Sequence, residues 1–274
     1  MNFLEKFRYK YDNLNELGSL EKKSIDTKNY NNQNLINLLS NSVKVSHNLF
    51  PSIAQTIDNV FSKLGIKNNF SFFITPNHFE TQAACAMMPQ SSNAEIIITS
   101  KMIELLSSKE LESVIAHEIG HFYYQHSLYP PLTKARNRTE YLNFLHLSRA
   151  AEISADRAGL LGCGDLENSL RAMLKISTGL SEKYIKFNFS SYLDQLRELK
   201  DLKGNKNLLY ATHPIFLNRM QALIWFSMSN EYNEFFKTKK KGVYDLNKVD
   251  DKINESIKKV TGNELDVSNK EIIN

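Results

Sequence analysis

Cysteine is nearly missing from this sequence. Only Cys85 and Cys163 occur among 274 residues, far apart and outside any CxxC pattern. That spacing suggests neither a disulfide framework nor a cysteine zinc knuckle; it is compatible with a reducing compartment and leaves room for one disulfide. An excess of one charge is missing too: 34 Lys and Arg stand against 30 Asp and Glu, a formal net charge of +4. So close a balance gives no basis for a nucleic-acid-binding face or for attraction to a strongly anionic membrane. Long apolar runs are also lacking. No window approaches the ~18 consecutive apolar residues of a spanning helix, and even the most apolar stretches are broken by charge or by His, Asn and Gln. Glu5, Lys6, Arg8 and Lys10 interrupt the place where a secretory signal needs its apolar core. These absences predict a cytoplasmic globular chain with no nucleic-acid partner and no membrane-spanning segment, and they leave its oligomeric state unknown.

With 42% hydrophobic and 23% charged residues, the chain can build an ordinary core. Three regions are expected: a polar N-terminal segment (1–30), a domain carrying the chemistry (31–230) and a charged C-terminal tail (231–274). Leu35, Leu38, Leu39, Val43, Leu49, Ile53, Ile57, Val60, Phe61 and Leu64 recur at helical spacing and predict two helices parted at Phe50–Pro51. NFSFFIT (69–75) and NAEIIIT (93–99) predict strands of a small sheet. Ser107 opens a helix over 108–124 through a capping box with Glu110. A second long helix is predicted over 139–161, with further helices at 166–178, 191–201 and 214–226. In the tail, Val249, Ile253, Ile257 and Val260 form a weak apolar stripe that reads as a peripheral helix. The fold class expected is α+β, mostly helical.

The informative string is Ala116-His117-Glu118-Ile119-Gly120-His121. Four residues are slightly more than one helical turn, so both imidazoles share a face and can converge on one ion. Glu118 lies about 100° around the helix from His117, where its carboxylate can flank a metal and reach a water without taking a coordination position. Chance alone yields HExxH in on the order of one such chain in a hundred, so context must decide. A hydrolytic zinc site needs a third protein ligand. Glu152, thirty-one residues after His121, and Asp156, one turn later, offer a ligand and an outer hydrogen-bond partner for a ligand histidine. Small Ala150, Ala151, Ser154 and Ala155 would let their helix approach the first. Without the upstream motif, Glu152 and Asp156 would instead read as surface partners of Arg149 and Arg157.

ESVIAHEIGH, SRAAEISADRAG and THPIFLNR, spread over roughly Val60 to Met228, resemble the HtpX-like peptidase family, which includes the CAAX prenyl endopeptidases. The resemblance implies a gluzincin-type zincin domain with a small β-sheet packed on the HExxH helix and a second ligand-bearing helix. It implies one Zn2+ per chain held by His117, His121 and Glu152, with Glu118 as general base and Asp156 behind a ligand. It also assigns His213 a place near the metal, either stabilising the oxyanion or occupying the open position, with Arg219 behind the site. By itself a lone His before Pro is a helix-start residue, and His126, five residues after His121, falls past the ligand face and reads as structural. Membrane-embedded members carry transmembrane helices that this chain lacks, so it resembles a soluble minority. Where members show an Asn-Ala-Phe-Ala-like segment, the nearest strings here are Gln82–Ala86 and Asn93–Glu95.

The function expected is a zinc-dependent endopeptidase with a polypeptide substrate and loose specificity for unfolded or extended segments, as in protein quality control. An extended peptide would add to the sheet edge beside Ile96–Thr99. The alternative is a latent or non-catalytic zinc-binding chaperone or adaptor.

Overall fold

Pro51 sits at the first position of its helix, where its missing N–H costs nothing, and Gly65 in the left-handed region (φ 62°) closes it. This helix, α1 (Pro51–Leu64), buries Ala54, Ile57, Val60, Phe61 and Leu64. The computed structural model describes residues 3–13, 36, 38–67, 69–76, 83–87, 94–188, 190, 191, 194, 195, 197, 198 and 216–261. In these, the chain divides into two compact units. One comprises Met1–Arg8, Gly18–Leu128 and Ser154–Lys186; the other comprises Tyr9–Leu17, Tyr129–Ile153 and Phe187–Asn274.

The first unit holds a four-stranded sheet of β1 (Val43–Lys44), β2 (Phe70–Thr75), β3 (Ala83–Met87) and β4 (Ala94–Thr99), in the order β1-β2-β4-β3. β2 and β4 run parallel in the register Phe70 to Ala94 through Thr75 to Thr99, and β3 pairs antiparallel with β4, Ala83 opposite Ile98. Two of these strands coincide with the β-branched runs expected. Two do not: Val43, part of the expected helical pattern, is an exposed strand residue, and β3 is built of Ala, Cys and Met. β4 is therefore interior, paired on both sides, and among the described residues the free edge beside it belongs to β3. A peptide cannot add beside Ile96–Thr99, as the sequence suggested.

After the short helix α2 (Ser100–Leu105) comes α3 (Ser108–Tyr123), whose capping box forms as expected: the Ser107 hydroxyl accepts from the Glu110 amide at 3.3 Å and the Glu110 carboxylate from the Ser107 amide at 2.7 Å. The same carboxylate accepts from Lys175 Nζ at 2.8 Å, with both side chains almost wholly buried. Leu111, Val114, Ile115, Ala116 and Ile119 are buried along α3, which packs against α1, β3 and α5 (Leu166–Thr178). Each large apolar side chain so enclosed contributes about 1.5–3 kcal/mol. On the flank, Glu112 binds Lys63 and Lys109, and burial lowers the Lys63 ammonium below its usual value. The N-terminal residues, expected to be a polar segment, contribute a 3₁₀ turn (Phe3–Phe7) with Leu4 and Phe7 fully buried; the Tyr124 hydroxyl donates to the Leu4 carbonyl at 3.0 Å.

The long helix α4 (Arg138–Cys163) ends where Gly164 turns left-handed (φ 70°). In the second unit α6 (Phe216–Ser227), α7 (Asn230–Phe235) and α8 (Leu246–Thr261) follow. Val249 and Ile253, expected on a peripheral tail helix, are 0% and 1% exposed and form a core with Tyr9, Ala150, Ile153 and Ala222. Tyr9 from the N-terminal segment and Val249 and Ile253 from the tail thus take part in one core. The helix expected over 191–201 falls largely outside the described residues.

Candidate metal centre

The seam between α3 and the last turns of α4 is made by missing side chains. A β-carbon on Gly120 would lie 2.7 Å from Ala158 Cβ and one on Gly162 2.3 Å from Ala116 Cβ. One on Gly159 would lie 2.8 Å from the Ser113 carbonyl oxygen and 3.5 Å from His117 Cβ. The sequence placed this close approach at Ala150, Ala151, Ser154 and Ala155. All four are buried and Ala155 takes part, and the approach continues one to two turns further, at Ala158, Gly159 and Gly162. Arg149 and Arg157 are 2% and 1% exposed, which rules out the surface pairing that competed with the metal reading.

This seam brings Asp156 against the first imidazole: His117 Nδ1 and Asp156 Oδ1 are 3.0 Å apart. An ionised carboxylate only accepts, so His117 donates from Nδ1, and the neutral form of the ring then has its lone pair at Nε2. That Nε2 faces Nε2 of His121 at 3.0 Å. Glu152, one turn before Asp156 on the same unbroken helix, completes the group: ligand atoms of His117, His121 and Glu152 all lie within 4.8 Å of one another. Two imidazoles and a carboxylate are a donor set suited to zinc, and nitrogens 3.0 Å apart are within reach of one ion at zinc–nitrogen distances of about 2.0–2.1 Å. Arg219 Nη1 lies 3.1 Å from Glu152 Oε2, so the arginine expected behind the site holds the carboxylate directly. Glu118 is buried on α3, one residue after His117. His213, with Thr212 and Pro214, lies outside the described residues.

His126, expected past the ligand face, contacts a candidate ligand histidine from behind. His126 Nδ1 lies 2.7 Å from His121 Nδ1, the ring nitrogen turned away from the cluster. Continued as a helix, five residues advance about 500°, which leaves the side chain some 140° off the ligand face. α3 instead stops at Tyr123, and Gln125 adopts a left-handed conformation (φ 58°) that starts a 3₁₀ turn, His126–Leu128. The reversal returns the ring to His121, and the Tyr124 ring lies 5.5 Å from it at a 33° tilt. No signal for that turn is present in the sequence, where Gln125 is an ordinary helix former.

An HExxH pair and a distal glutamate on a pair of helices, beside a small sheet, are the arrangement of a zincin-like fold. The chain belongs to peptidase family M48, whose model matches residues 50–138 and 132–224. It is similar to the plastoglobule-localized metallopeptidase 48, chloroplastic, of Arabidopsis thaliana, with 26% identity over 164 residues, covering 52% of this chain and 48% of that protein. It is also similar to the protease HtpX homologs of Tropheryma whipplei strains Twist and TW08/27, each 31% identical over 87 residues, 31% of this chain and 28% of theirs. The chain thus spans about half the length of the first relative and under a third of the other two. No solved structure matches it. No described helix is long and apolar enough to cross a membrane.

Proposed function

We propose that the chain is a zinc-dependent endopeptidase acting on extended or unfolded polypeptide, with one zinc held by His117, His121 and Glu152. The observation that carries this reading is the convergence of those three side chains, with Glu118 on the same helix as the histidines. Bound zinc would supply Lewis acidity, polarising the scissile carbonyl and acidifying a water. Glu118 would take the proton of the attacking water and pass it to the leaving amine as the C–N bond breaks, leaving a carboxylate and a free amine. Asp156 would hold the His117 ring in the liganding tautomer, and Arg219 would hold Glu152 against rotation. His213 would stabilise the oxyanion.

The substrate would lie along the outer edge of β3, the last strand in the order β1-β2-β4-β3. Main-chain hydrogen bonds to a strand edge recognise extension and little else, which supports loose specificity and a role in protein quality control. Cys163, buried and unbridged, suits a cytoplasmic setting.

The test is zinc content by elemental analysis together with casein cleavage, comparing wild type with Glu118→Gln. Expected are one zinc in both and a loss of kcat/KM of about 10²–10⁴-fold or more in the variant. Zinc in both without cleavage in either would support a latent or chaperone-like role instead; absence of zinc from wild type would overturn the metal centre.

A further inference from the structure

We infer that His126 is a positioning residue for the metal centre: it accepts the Nδ1–H of His121 and so fixes that ligand in the tautomer whose Nε2 faces the metal. The inference rests on the metal-centre reading above. Two ring nitrogens 2.7 Å apart share a single proton, so one of His121 and His126 donates and the other accepts. If His126 donates, His121 carries its own proton on Nε2, pointed at His117 Nε2, and cannot be a ligand at that atom. If His126 accepts, His121 presents a lone pair at Nε2, and both histidines offer lone pairs to the same point. A cation there stabilises the second arrangement.

The two histidines of the motif are therefore oriented by different chemistry. His117 has an anionic acceptor in Asp156, whereas His121 has a neutral one in His126, held by the left-handed turn at Gln125 and by the buried Tyr124 ring. His126 belongs to no motif used to recognise the site, and its contribution comes from the place where α3 ends.

Two replacements separate hydrogen bonding from packing. His126→Asn keeps an acceptor near the position of Nδ1 and gives up the ring; His126→Phe keeps a ring against Tyr124 and gives up the acceptor. Zinc affinity of the full chain is measured by competition with a chromogenic chelator, and urea unfolding of the chelator-treated chain reports on folding without metal. Expected are a zinc affinity for His126→Asn within a few-fold of wild type and a 10–100-fold loss for His126→Phe, with similar metal-free unfolding midpoints. The reverse order, Phe near wild type and Asn impaired, would overturn the inference and leave His126 a packing residue. Should the Phe variant fail to fold, His126→Asp decides: an anionic acceptor should hold zinc at least as tightly as wild type, and a loss of affinity there would overturn the inference. Wild type that binds no zinc would remove both this inference and the metal centre, whereas tight binding by wild type and Phe alike would remove only the role of His126.

Discussion

Glu110 and Asp156 are carboxylates of similar burial with different tasks, and each can be tested alone. Glu110 caps α3 and neutralises Lys175, whose side chain is 3% exposed. Removing one partner leaves an uncompensated charge in the interior. Glu110→Ala should cost about 3–5 kcal/mol in urea unfolding of the metal-free chain, toward the lower figure because Glu182, 3.5 Å from Lys175, is exposed and able to adjust. Asp156→Asn should instead leave folding nearly unchanged and weaken zinc binding about 10–100-fold in the same chelator competition. Cys163 gives a prediction in pH. Burial pushes its thiol above the ordinary value of 9.0. Above that ordinary value the unfolded chain has lost the proton that the folded chain retains, so this contribution is intact below pH 9 and is lost as pH rises toward the folded value. The thermal midpoint of wild type should therefore fall more steeply above pH 9 than that of Cys163→Ala, and equal slopes would refute the assignment.

Among the elements, the two helices that carry the candidate ligands were legible because local pattern and chemistry agree there: a capping box, two histidines one turn apart and a carboxylate pair one turn apart. Three features were not. β3 is built of Ala, Cys and Met, residues without strand preference, and it exists because β4 offers it a ladder. The stripe at Val249 and Ile253 shows an amphipathic helix, but periodicity cannot say whether a core awaits it, and here Tyr9 and Ala222 do. The contact of His126 with His121 was not legible either, because helical phase extended past Tyr123 carries residue 126 away from the ligand face and nothing in the sequence marks the turn at Gln125. The seam allows a test at this scale. Gly159→Ala would set a methyl 2.8 Å from the Ser113 carbonyl oxygen, and the displacement should cost about 1–3 kcal/mol in urea unfolding and weaken zinc binding. A variant as stable as wild type, with unchanged affinity, would mean that the helices separate without strain.

For the molecule as a whole, a metal that binds only the folded chain must stabilise it by mass action. At free zinc one hundred times the dissociation constant the gain is about 2.7 kcal/mol, so chelation should lower the thermal midpoint and added zinc restore it. A midpoint indifferent to both would show that the folded chain does not bind zinc in preference to the unfolded one. The glycines of the seam bear on a different question, namely how this chemistry could be lost by drift. Gly120, Gly159 and Gly162 bind nothing and catalyse nothing, yet each is within van der Waals overlap of the opposite helix if it gains one carbon. A descendant could thus keep every histidine and carboxylate of the recognised motif and still be inert, having gained a single methyl group that motif matching would never register.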